Sequence, residues 1–332
     1  MKETIDPGRA IRWVLCALVS LILVAGVVGK WPDAPQSEPM GAVAGIAAVA
    51  APEAEPEAAV GETPVLSPRA TVPELPYGGT KVFDGHILVA YYGTAGTPVL
   101  GVLGETPPEQ AVRRVRRAAR PFGRVGNPAI PVMELIVTVA DPHPGPGHDF
   151  SHDIARQQVA RYVRAARRHK VMLVLDLQTG RSDFLTVAKR WEWALKDPWV
   201  GLALDPEWRM RRGEVPGRRI GSVDASEVNR TSAWLEALVR RERLPQKVFM
   251  LHQFRREMVR GIGRVKARAN LAMVQHIDGF GTPGQKMATY RHVARPKQFH
   301  MGFKLFYDED VRRLSAAKVK RIRPRVEFVS FQ

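Results

Sequence analysis

From residue 85 onward, short runs of consecutive apolar residues recur along the chain, and most end in polar or charged residues. Eight such runs stand out: GHILVAYYG (85 to 93), PAIPVMELIVTVA (128 to 140), HKVMLVLDLQ (169 to 178), WVGLALD (199 to 205), KVFMLHQF (247 to 254), LAMVQHID (271 to 278), FHMGFKLFY (299 to 307) and RVEFVSF (325 to 331). Near-continuous apolar runs of this length are the pattern of strands buried on both faces. Between them, residues 107–120, 151–168, 182–196, 224–241, 255–269, 284–294 and 309–321 carry a helical pattern of apolar positions. Strand and helix in strict alternation predict a parallel sheet covered by helices.

Local chemistry sharpens several boundaries. Pro107 and Pro108 suit a first helical turn, Ser151 and Ser182 are candidate N-caps, and Asp224 or Ser226 can cap the fourth helix. Asp197-Pro198 stops the third helix just before the fourth strand. No glycine-rich dinucleotide fingerprint opens a helix directly after the first strand, which disfavours a nucleotide-binding open sheet. Eight β-α repeats in about 250 residues predict instead a (β/α)8, or TIM, barrel in the α/β class.

The barrel is expected over residues 77–332. Residues 31–76 read as a linker, with Pro32, Pro35, Pro39, Pro52, Pro56, Pro64, Pro68, Pro73 and Pro76 set among alanine, glutamate and valine without periodicity. Such a segment buries too little apolar surface to offset its ordering entropy. Residues 1–30 hold an uncharged apolar run from Trp13 to Gly29, preceded by Arg9 and Arg12 and closed by Lys30. That pattern predicts a signal anchor with residues 1–12 cytoplasmic and the remainder extracytoplasmic, at the cell membrane or secreted if the segment is cleaved.

Composition adds two constraints. The 332 residues are 45% hydrophobic and 25% charged, an ordinary globular balance, but the formal net charge is +17. Long-range attraction draws such a surface toward polyanions, and with export expected the partner is a polysaccharide or an acidic cell-wall polymer rather than nucleic acid. The basic segments 113–120, 161–170 and 319–325 lack the interleaved aromatics of single-strand nucleic-acid binders. The single cysteine, Cys16, excludes a disulfide framework and any multi-cysteine metal site. No cofactor is expected.

Candidate chemistry follows from the predicted fold, because barrel active sites lie at the carboxyl-terminal strand ends. Polar residues gather there: Glu134 and Asp141, Asp176 and Gln178, Asp205 and Glu207, His252 and Gln253, Gln275, His276 and Asp278, then Lys304, Tyr307 and Asp308. Side chains two apart on a strand share a face, so Asp176 with Gln178 and Asp205 with Glu207 are expected to point toward the barrel axis from neighbouring strands. The small Gly201 and Ala203, on the face of Asp205, suit a crowded interior.

The stretch ALDPEW, 203 to 208, resembles the end of strand four in family 18 chitinase-type glycoside hydrolases, whose D-x-x-D-x-D-x-E motif finishes in an acid pair. Asp205 matches the last aspartate and Glu207 the general acid, while Val200 and Ala203 stand at the two earlier acidic positions. The resemblance implies a glycoside hydrolase of cell-wall or capsule polysaccharide with Glu207, Asp205 and Asp176 catalytic. Gln178, Trp208, Gln253, Asp278 and Tyr307 are then the expected sugar-binding residues. Two alternatives stand beside it: a non-catalytic glycan-binding or wall-organising protein on a degenerate barrel, and a metal-dependent phosphodiesterase using the same carboxylates. The loop DPHPGPGHDFSHD, 141 to 153, carries three histidines, but their spacing matches no established metal motif. In a purely structural reading Glu207 pairs with Arg209, Arg211 or Arg212.

Overall fold

The computed structural model describes residues 71–332. The expected signal anchor and most of the expected linker lie outside the described residues. Within the described residues, no helix is long and apolar enough to cross a membrane.

All eight expected strands form. They are β1 (Leu88–Thr94), β2 (Ile130–Ala140), β3 (Met172–Leu177), β4 (Val200–Leu204), β5 (Lys247–Gln253), β6 (Leu271–Ile277), β7 (His300–Leu305) and β8 (Val326–Phe331). Each pairs in parallel with the next, and β8 pairs with β1, which closes the sheet into a TIM-type barrel. Closure leaves no parallel edge to protect, and the short strand Ser151–Asp153 adds an antiparallel partner to the end of β2.

The covering helices are α1 (Pro108–Ala119), α2 (Arg156–His169), α3 (Phe184–Arg190), α4 (Ala225–Arg241), α5 (Pro283–Val293) and α6 (Ala316–Lys320). Proline opens α1 as expected. Three boundaries differ from the sequence reading. Ser151 lies in the short strand instead of capping α2, because residues 151–153 find backbone partners on β2. Asp183, not Ser182, caps α3, its carboxylate accepting the Thr186 backbone N–H at 3.1 Å. Asp224 occupies the cap position of α4, but its carboxylate is taken by Arg260.

The expected helix at 255–269 is absent. Two single 3-10 turns, Arg256–Met258 and Ile262–Arg264, stand in its place. Gly261 between them adopts a left-handed φ of 66°, and Gly263 follows, so the segment carries two residues that weaken helix propagation. The last helix is likewise confined to Ala316–Lys320 rather than 309–321, since Asp310 is drawn into a buried pair with Lys286.

Two apolar layers follow from the period-two geometry of the strands. Except on β4, even-numbered side chains such as Leu88, Ala90, Val132, Val174, Met250, Val274 and Phe328 fill the barrel, while odd-numbered ones such as Val89, Leu135, Leu175, Phe249, Phe303 and Val329 pack outward against the helices; on β4 the parity is reversed, with Ala203 facing in and Leu202 out. Each aliphatic side chain so buried contributes about 1.5–3 kcal/mol. A Cβ at Gly201 would lie 2.9 Å from Val248 Cβ, so glycine lets β5 approach β4 there. Leu75 and Val82 close the amino-terminal end of the barrel, supported by Tyr77, Phe83 and Trp199. Trp199 Nε1 donates to the Glu74 carbonyl at 2.8 Å, so residues 74 and 75, read from composition as linker, pack against the barrel base.

Candidate active site

One layer inside the barrel breaks the apolar rule. At the carboxyl-terminal end the inward-facing positions are Tyr92 on β1, Glu134 on β2, Asp176 on β3, Asp205 just past β4, His252 on β5, His276 on β6, Lys304 on β7 and Ser330 on β8. The polar side chains thus gather at this end of the barrel from all eight strand ends. Glu134, Asp176, His252 and His276 are wholly inaccessible to solvent. Polar groups buried this deeply must satisfy one another.

They do so in part through a network centred on His252, which leaves Glu134 Oε2, Asp176 Oδ1, His276 Nδ1 and Asp278 Oδ1 without a hydrogen-bond partner among the described residues. His252 Nδ1 lies 3.0 Å from Asp278 Oδ2 and its Nε2 lies 3.0 Å from Glu134 Oε1, with Asp176 Oδ1 3.8 Å away. Tyr92 donates its hydroxyl to Asp176 Oδ2 at 2.9 Å, and Gln178 Nε2 donates to the Tyr92 oxygen at 3.4 Å. Lys304 Nζ sits 3.7 Å from the centre of the Tyr92 ring and 3.5 Å from Asp278 Oδ2. His276 Nε2 meets Ser330 Oγ at 3.0 Å.

Burial and charge divide these groups into two classes. Burial alone would discharge His252, yet its hydrogen bonds to Asp278 and Glu134 outweigh that and hold its pKa well above the usual imidazole value. Burial would likewise protonate Asp278, but Lys304 and His252 overcome it and keep that carboxylate well below its ordinary range. His276, desolvated and beside His252 and Lys304, is held well below the usual value and stays neutral. The other acids go the opposite way. Asp176 is pushed up to about 6, chiefly by burial. Asp205 rises to about 7, by burial with Asp176 and Asp278 adding to it. Glu207 rises to about 8, by burial and then by Asp205 and Asp278.

Glu207 reaches this cluster on a rigid turn. Pro206–Trp208 is a single 3-10 turn in which Pro206 supplies a preset φ and Asp205 Oδ1 accepts the Glu207 backbone N–H at 3.2 Å. Asp205 is thus at once a member of the buried cluster and the cap of the turn that carries Glu207. Gly221 locks the turn from outside: its N–H donates to the Glu207 carbonyl at 2.6 Å, and a Cβ there would lie 2.6 Å from that oxygen and 2.5 Å from the Arg209 carbonyl. Arg209 turns away from Glu207 to a half-buried pair with Glu227, Nε to Oε1 at 2.9 Å. Among the described residues Glu207 has no ion pair, so the structural reading that paired it with a neighbouring arginine does not hold. Glu207 is half-buried, whereas Asp176 and Asp205 are enclosed.

The remaining expected residues divide by face. Gln178 and Asp278 belong to the network. Trp208 is half-buried on the turn beside Glu207. Tyr307 is 38% exposed near the same end of the barrel, its hydroxyl 3.2 Å from that of Tyr91, its ring stacked on Phe331 and covered by Arg313. Gln253 points outward, as an odd-numbered residue must: its Oε1 accepts from Gln275 and its Nε2 donates to the Arg255 carbonyl. It ties a loop and does not meet the carboxylates.

Residues that the sequence reading left out of the site are its centre. Glu134, His252 and Lys304 stand among the strand-end polar residues, but spacing along one strand does not reveal that they meet across the barrel. Tyr92 and Ser330 lie inside apolar runs, and their even-numbered register was the available signal.

His252, His276 and Asp278 offer ligand atoms within 4.8 Å of one another. Both ring nitrogens of His252 are already bonded to carboxylates, and Lys304 adjoins Asp278, so the protein's own cations supply the positive charge that a metal ion would bring. The donor set does not fit a metal. The loop 141–153 is also occupied otherwise, with His152 Nδ1 2.7 Å from Asp141 Oδ2 and Arg190 3.2 Å from Asp153. What the arrangement can do is hold a proton on a solvent-reachable carboxyl above a reservoir of buried acids. A scan against protein-family models and a comparison with curated proteins both give no match, so the likeness to family 18 hydrolases rests on Asp205, Glu207 and the barrel alone.

Proposed function

We propose that the protein is an extracytoplasmic glycoside hydrolase of cell-wall or capsule polysaccharide, with Glu207 as general acid and Asp205 assisting. One observation carries the reading: Glu207 stands half-buried and without an ion pair at the carboxyl-terminal end of the barrel, its pKa pushed up to about 8 by burial. A carboxyl so placed is protonated at neutral pH and can donate to a glycosidic oxygen, the step that glycoside hydrolysis requires first. Asp205, held near 7, gains negative charge as pH rises through neutrality and can stabilise the positive charge that develops at the anomeric carbon. Trp208, beside Glu207, can offer an aromatic face to a pyranose ring, while Tyr307, its ring faces taken by Phe331 and Arg313, can offer only its edge; Asp278 and Gln178 join the site through His252 and Tyr92.

The test is release of reducing ends from a panel of wall and capsule polysaccharides by the full-length protein and by Glu207→Gln. Turnover by the wild type that is lost in the variant supports the assignment; turnover that survives the substitution overturns it.

A second reading has its own observation. Asp205 is 2% exposed and spends one oxygen on the turn, so Glu207 is the least enclosed acid of the trio. That favours a non-catalytic glycan-binding protein on a degenerate barrel, which would show saturable polysaccharide binding without new reducing ends. The metal-dependent phosphodiesterase is disfavoured because the cations His252 and Lys304 already stand close enough to Asp176, Asp205 and Glu207 to favour their charged forms.

A further inference from the structure

At the other end of the barrel, and on the flank beside it, the surface is cationic. A cavity of about 200 Å³ is lined by Gly85, Ile87, Phe122, Arg124, Asn127, Lys320, Arg323, Arg325 and Val326. Most of these residues precede or open β1, β2 and β8, which places the cavity at the amino-terminal strand ends, away from Glu207. A second cavity of about 340 Å³ adjoins it between α5 and α6, where Met287, Leu314 and Ile322 are joined by Arg291, Lys318, Arg321 and again Arg323. Arg323 belongs to both, so seven cations and not one carboxylate border a continuous strip.

These cations have no acidic partner within the described residues. The polar contacts of Lys320 and Arg323 are backbone carbonyls: Lys320 Nζ donates to Pro121 at 2.9 Å, and Arg323 donates to Lys320 and Ile322 at 3.2 and 2.9 Å. Elsewhere on the molecule arginines find carboxylates, as Arg167 with Asp197, Arg209 with Glu227, Arg260 with Asp224 and Arg268 with Glu236 do. Seven unpaired positive charges crowded around two concavities repel one another, and an anion is what relieves that repulsion.

We infer that this strip is a binding site for a linear anionic polysaccharide, separate from the candidate active site. Five of the seven cations are arginines, whose planar fork matches a carboxylate or phosphate oxygen pair. Two adjoining concavities suit successive charged groups along one chain, whereas a flat lipid surface would touch only their rims. Phe122 is the one aromatic lining residue and is 3% exposed, so the strip offers no platform for stacking bases. The inference stands whether or not Glu207 is catalytic: the strip would hold one part of an acidic polymer while the opposite end of the barrel remains free.

The experiment measures binding of the full-length protein to polygalacturonate, with dextran as the uncharged control, at physiological ionic strength. Arg323→Glu/Arg325→Glu is compared with Arg161→Glu/Arg164→Glu, which makes the same charge change on exposed positions of α2. The expected result is about tenfold weaker polygalacturonate binding for the first pair and near wild-type binding for the second. Arg321→Gln/Arg323→Gln, which introduces no repulsion, is expected to weaken binding in the same direction with an unchanged melting temperature. Equal losses in the strip and α2 variants would show that net charge alone governs adhesion and overturn the site. Wild-type binding by both strip variants, or tighter binding to a single-stranded oligonucleotide than to polygalacturonate, would also overturn it.

Discussion

His252 Nε2 hydrogen-bonds Glu134 Oε1 at 3.0 Å across the barrel interior, joining β5 to β2, which are not neighbours in the sheet. With Asp278 on its other nitrogen at 3.0 Å, the imidazole is a buried cation between two carboxyl groups. Such a pair adds little net stability over an apolar core, but removing one partner strands the other. His252→Ala is therefore expected to cost about 3–5 kcal/mol, read from urea unfolding. An unchanged midpoint would mean that Glu134 and Asp278 do not need the cation.

Stability is expected to fall as pH rises from about 4 to about 8. Asp176, Asp205 and Glu207 all bind protons more tightly folded than unfolded, with folded values of about 6, 7 and 8 against ordinary values of 3.8, 3.8 and 4.5. Their contribution is fully present below the ordinary values and is lost as pH climbs through the folded ones. His252, also raised, adds a loss of the same sign above the ordinary imidazole value, while His276, depressed, adds a gain below that value that only partly offsets the three acids. Asp278 is depressed, so its contribution is lost only as pH falls below the ordinary carboxylate range, outside that window. Thermal unfolding across pH should show this slope. Asp205→Asn, which keeps an oxygen to cap the turn, should flatten it; a slope as steep as wild type would contradict the assignment.

Activity, where the hydrolase proposal holds, should have a narrow pH range. Proton donation is lost as Glu207 ionises near 8, and assistance from Asp205 is lost as it protonates below about 7. Glu207→Gln is expected to lower kcat by about 100- to 10,000-fold and to abolish the alkaline limb. A rate that keeps rising well above pH 8 in the wild type would exclude Glu207 as the donor.

Gly221→Ala tests the turn that presents Glu207. The added methyl would meet the carbonyls of Pro206 and Glu207 at 2.6 Å and of Arg209 at 2.5 Å, so the turn or the 220–222 backbone must move. The expected result is about 1–3 kcal/mol of lost stability, with a larger fall in kcat than the fall in folded fraction explains. Loss of stability with unchanged kcat in the folded fraction would show that the turn tolerates displacement.

The apolar runs and their spacing determined the barrel, because strands buried on both faces must be apolar along their length and the helical segments between them leave little other topology. The helix expected at 255–269 failed where Gly261 and Gly263 weaken a helical pattern that apolar spacing alone suggests. Asp205 and Glu207 were legible as an acid pair at a strand end. Which groups surround them was not, because hydrogen bonds such as His252 to Glu134 or Tyr92 to Asp176 join residues far apart in sequence through the register and closure of the sheet. The same holds for the fate of Arg209, two residues from Glu207 yet bonded to Glu227 on α4. Sequence determined which residues were polar at the strand ends. Only the closed barrel decided which became buried partners, which acids were pushed toward protonation, and that Glu207 was left at the surface of the cluster. Burial and charge proximity are properties of the assembled sheet, and no single strand carries them.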